Sequence, residues 1–216
     1  MRWLAASVVV LALVMARPGD ARADTPPPTG HLVLAGAAMA VPTYALGVTI
    51  HEGTHALVAK AYGYRLVRIQ LYPGVHNGHF YFGYVEYRGH MPVGKRTFFL
   101  LAPKFVDMAM MGGYAALVVT DSLPSNHYGQ LALAVLATGF WVDFSKDLLA
   151  PWRKHDVNMA LDRNGIHGFW GKLPYWLLHA GLAAAGSIAL VEGYERVFGV
   201  GQAVPAVVLP AVQLAW

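Results

Sequence analysis

Between His31 and Tyr62 only Glu52 and Lys60 carry formal charge, and the run is long enough to cross a bilayer. A segment of that kind must close its backbone hydrogen bonds within itself, so it has to be a helix; Pro42 removes one bond and is expected to bend it. Three more apolar segments follow, at Thr97 to Thr120, Tyr128 to Leu149 and Leu173 to Val197. Hydrophobic residues make up 56% of the chain and charged residues 13%. A soluble domain carries about a quarter charged residues, so most of this surface must meet lipid or protein. The expected fold class is an all-α polytopic membrane protein, a bundle of about four to five transmembrane helices.

The two ends of the chain read differently. Arg2, the apolar run Leu4 to Met15 and Ala21-Arg22-Ala23 together have the form of a signal peptide or signal anchor over residues 1–23. Residues 24–30 form a linker stiffened by Pro26-Pro27-Pro28, and 31–216 are expected to be a single membrane-embedded domain. The apolar tail from Val200 to Trp216 contains Pro205 and Pro210, which favours packing on the bundle over a further span. Between the first two segments, Leu66 to Tyr72 and His79 to Tyr87 alternate apolar with polar or aromatic residues, with turn chemistry at Pro73-Gly74 and Asn77-Gly78. That pattern predicts a β-hairpin after the first helix.

The net charge is +4, but the basic residues sit in loops between apolar segments, which points to membrane topology and not to nucleic acid. Arg65, Arg68, Arg88, Lys95 and Arg96 follow the first helix, and Arg153, Lys154, Arg163 and Lys172 follow the third. The connection from Asp121 to His127 has no Lys or Arg. The positive-inside rule then puts both basic loops in the cytoplasm. Tryptophans 141, 152, 170 and 176 fall near segment ends, where an interfacial aromatic belt is expected.

Within the first helix stands His51-Glu52-Gly53-Thr54-His55. Residues i and i+4 stack on one helical face, so two imidazoles can grip one metal ion while the glutamate between them takes a proton from a water. Burying three such groups among Val48, Ile50, Ala56 and Leu57 is costly unless they are used. Cysteine is absent, so the ion must be held by His, Asp or Glu. Zinc is the expected metal; it needs a third protein ligand and an open position for water.

With the pentad in an apolar helix, a hairpin after it and Leu101-Ala102-Pro103 opening the next helix, the chain resembles the site-2 protease family of intramembrane zinc metalloproteases. The resemblance covers most of the chain after about residue 31. It implies a zinc metalloendopeptidase in the bacterial inner membrane that cleaves a membrane protein or peptide, with Glu52 as general base. It also implies a third ligand on a later segment after an asparagine-leucine-leucine-proline-like stretch. Asp147-Leu148-Leu149-Ala150-Pro151 and then Asp156-Val157 read that way, making Asp156 the expected ligand, with Asp147 and then Asp143 as alternatives. The chain departs from the family in lacking a glycine after Asp156 and in having Lys104 and Asp107 where small and amide residues are common. The rival reading is a zinc-binding membrane protein with a structural or sensing role.

Other polar residues have plainer expectations. Lys104 is expected to snorkel or pair with Asp107, His155 to support the ligand beside it, and His179 to hydrogen-bond a neighbouring helix. His76 and His79 read as members of a polar turn. The hairpin is a candidate edge for an unwound substrate strand.

Overall fold

The computed structural model describes residues 27–76, 78–149 and 154–199. The expected signal segment at 1–23 and the apolar tail at 200–216 lie outside them, as does Trp152. Helix α1 spans Thr29–Ala61 and continues through Pro42. Helix α2 spans Val93–Val119, α3 His127–Ser145, α4 Asp156–Arg163 and α5 Gly168–Phe198. A 3₁₀ turn at Lys146–Leu149 continues directly from α3. The four long helices correspond to the four apolar segments, with α1, α2 and α5 extended by a few residues at their N-terminal ends and the last residues of the third segment forming the 3₁₀ turn.

Local chemistry sets the boundaries. The Asn126 side chain accepts the Gly129 N–H at 2.6 Å and caps α3. Gly199 ends α5 at φ 68, the left-handed conformation that a side chain disfavours. The hairpin forms as two short antiparallel ladders. β1 (Arg65–Gln70) pairs with β4 (Tyr84–Arg88), and β2 (Gly74–His76) pairs with β3 (His79–Tyr81) nearer the tip. A register shift between Leu66 and Arg68 interrupts the outer ladder. Pro73-Gly74 therefore begins the inner ladder and does not close the hairpin, while Gly78, at φ 77, lies in the closing turn.

Helices α1, α2, α3 and α5 pack on one another, with α4 tucked against α2. One core cluster joins Ala59, Met91, Phe99, Leu100 and Ala160, tying α1, α2 and α4 together. Further clusters join α2, α3 and α5 around Val118, Ala134, Phe140 and Ala183. Trp141 is half-buried against these clusters, and its indole N–H donates to the Ala183 carbonyl at 2.7 Å. His179 meets its expectation, bonding the Phe144 carbonyl through Nε2 at 2.7 Å.

Burial along α1 is uneven in a way that matters for function. Apart from Leu32, its buried residues are all in the C-terminal half: His51, Glu52, His55, Ala56 and Ala59. Leu34, Val41 and Leu57 stand exposed on it, as do Leu177, Leu178, Ile188 and Val191 on α5. Among the described residues these two helices, α1 and α5, are long and apolar enough to cross a membrane.

Candidate metal centre

His51 and His55 lie one turn apart on α1, both buried, with ring centroids 5.0 Å apart. The fold brings Asp156, the first residue of α4, to the same point. Its Oδ2 lies 3.2 Å from Nε2 of His51 and 3.3 Å from Nε2 of His55. Zinc bonds of about 2.0–2.1 Å in a tetrahedron place neighbouring ligand atoms about 3.3–3.4 Å apart. The two histidine–aspartate separations match that spacing, and ligand atoms of all three residues lie within 4.8 Å of one another.

The opposite ring nitrogens are committed elsewhere. His51 Nδ1 lies 2.7 Å from Asp143 Oδ2, and His55 Nδ1 lies 2.8 Å from the Phe99 carbonyl oxygen. Both partners only accept, so each ring carries its hydrogen on Nδ1 and turns the Nε2 lone pair toward Asp156. Two lone pairs and a carboxylate oxygen facing one point repel one another unless a cation sits among them.

The other two aspartates considered as ligands face different partners. Asp147 is buried in the 3₁₀ turn, with Oδ2 3.4 Å from Lys104 Nζ and 3.3 Å from His155 Nδ1. Asp143 meets His51 at the nitrogen that points away from Asp156. Lys104 does not snorkel: it is 4% exposed, and its ammonium donates to the Asp143 carbonyl oxygen. The geometry replaces the expected Lys104–Asp107 pairing with contacts from α2 to α3 and the 3₁₀ turn. His155, expected to support Asp156 beside it, has its Nδ1 at Asp147.

Glu52 is buried beside the two histidines, and the hairpin covers it. Gly83, between β3 and β4, approaches so closely that a β-carbon there would lie 2.7 Å from Glu52 Cγ and 2.9 Å from Val48 Cγ1. Nothing in the sequence singled out Gly83. Its only local signal is a glycine between aromatic residues where one ladder ends and the next begins. Lys146, which donates to Asp143 Oδ1, was legible only as an i, i+3 neighbour.

From Glu52 an apolar groove of about 670 Å³ runs between α1 and α3 toward the N-terminal end of α1. Gly36, Ala40 and Gly47 line it on α1, Gly139 on α3, and Phe82 with Gly83 on the hairpin. The small side chains open this space, and its inner end holds His51, Glu52, Asp143 and Lys146. Comparison of the chain with protein-family models, with curated proteins and with solved structures finds no match.

Proposed function

We propose that the chain is a membrane-embedded zinc metalloprotease of site-2 type, with His51, His55 and Asp156 as ligands and Glu52 as general base. One observation carries this reading: two buried imidazole nitrogens each lie within 3.3 Å of one carboxylate oxygen, with Glu52 buried next to them. The exposed apolar faces of α1 and α5 support an integral membrane location for that centre.

Zinc, when bound, supplies polarisation of the scissile carbonyl and acidification of a water. Glu52 accepts the proton that the water loses as its oxygen bonds to the carbonyl carbon. It then returns that proton to the amide nitrogen as the C–N bond breaks, acting first as base and then as acid. His51 and His55 remain neutral donors of electron pairs, their Nδ1 hydrogens held by Asp143 and Phe99. The groove admits an apolar segment along α1 and delivers it to Glu52, with its backbone unwound, since helical carbonyls are already bonded. The hairpin, pinned against Glu52 through Gly83, is placed to pair with such a strand.

The test is full-length protein in detergent carrying Glu52→Gln. Equal zinc content with loss of cleavage of an apolar membrane peptide is the expected result. Unchanged cleavage would remove Glu52 from the chemistry. Zinc with no cleavage in either protein would favour the structural or sensing role.

A further inference from the structure

His51 is approached by two carboxylates on opposite ring nitrogens, and the zinc reading uses only Asp156. We propose that Asp143 is a positioning residue for His51, an inference that rests on that reading and extends it. The contact is short and partly buried, Nδ1 to Oδ2 at 2.7 Å. A carboxylate on Nδ1 fixes the ring's rotation, keeps the hydrogen on that nitrogen and raises the basicity of Nε2.

Asp143 is itself held from several sides. Its Oδ1 accepts from Lys146 Nζ, its main-chain carbonyl accepts from Lys104 Nζ, and the same Lys104 ammonium lies 3.8 Å from Oδ2. The residue therefore links α1, α2 and the start of the 3₁₀ turn through polar contacts. His55 has only the neutral Phe99 carbonyl in the equivalent place. The two ligands are thus treated unequally: one imidazole is oriented by charge and the other by the main chain.

A second cation site is the competing use of this cluster, since ligand atoms of His51, Asp107 and Asp143 lie within 4.8 Å of one another. Two ammonium groups already stand at Asp143, and the His51 Nδ1 hydrogen points into the cluster. Positive charge is supplied there without an ion, so the geometry assigns Asp143 to orientation.

Zinc affinity of the full chain in detergent, measured by competition with a chelating dye, tests this directly. Asp143→Asn keeps the shape and an acceptor but loses the charge; we expect zinc to be held about 10-fold more weakly. Asp143→Ala also loses the acceptor, with an expected weakening toward about 100-fold, the range for removing such a partner. Nitrogen NMR of labelled histidine should show the Nδ1–H form of His51 in the wild type and a tautomer mixture in Asp143→Ala, a change that mere loss of packing would not cause. Asp143→Glu should recover part of the affinity. If the wild type binds zinc and a folded Asn or Ala variant matches it within about twofold, this inference fails alone. If the wild type binds none, the metalloprotease reading fails and takes this inference with it.

Discussion

Replacing Gly83 by alanine should disable Glu52 without touching the metal. The added β-carbon would lie 2.7 Å from Glu52 Cγ, 2.9 Å from Val48 Cγ1 and 3.0 Å from the Gln70 carbonyl oxygen. Carbon atoms settle at about 3.5–4.0 Å, so the overlap at Glu52 is close to 1 Å. The Gln70 oxygen is main chain in β1, where Gln70 is paired with Tyr84, and it cannot yield alone. Either Glu52 rotates away or the hairpin lifts. Overpacking of this kind costs about 1–3 kcal/mol, which corresponds to about a 5- to 150-fold loss of the seated arrangement at 1.4 kcal/mol per decade. Cleavage should fall by that factor, while zinc content stays at the wild-type level, because the three atoms nearest the added β-carbon belong to Glu52, Val48 and Gln70 and not to His51, His55 or Asp156. Gly53→Ala is the internal comparison. It lies inside the pentad, yet a β-carbon there meets nothing within 4 Å, and an alanine in a helix is worth about 0.5–1 kcal/mol over glycine. Zinc analysis, peptide cleavage and thermal melts in detergent on both variants decide the matter. Full activity in Gly83→Ala, or loss of its zinc, would refute the reasoning.

Other perturbations address the same neighbourhood and the packing behind it. His55→Ala should abolish stoichiometric zinc by metal analysis, whereas chelator-treated wild type should regain it on adding zinc back. Lys104→Met leaves Asp147 buried without its cation and should cost about 3–5 kcal/mol in denaturant melts; adding Asp147→Asn should restore part of that. Gly193→Ala would put a β-carbon 1.7 Å from the Tyr114 hydroxyl and should destabilise the α2–α5 contact, with partial relief from Tyr114→Phe in a melt of the double variant.

The sequence alone determined the helical segments and the shared face of His51 and His55 on α1, because both rest on short-range rules. Apolar runs without charge must satisfy their own backbone, and residues four apart must share a helix face. Asp156 was reached through a likeness of pattern, and two other aspartates stood beside it. Choosing among them needed the tertiary structure, because Asp143, Asp147 and Asp156 sit close together on the chain yet leave α3, a 3₁₀ turn and the start of α4 in different directions. Only folding showed that Asp156 meets Nε2 of both imidazoles, Asp143 meets Nδ1 of one, and Asp147 neutralises Lys104. The burial of Lys104, the hydrogen bond from Trp141 to Ala183 and the pressure of Gly83 on Glu52 were equally invisible beforehand. Each depends on which atoms of distant segments come into contact, and periodicity along a chain carries no record of that.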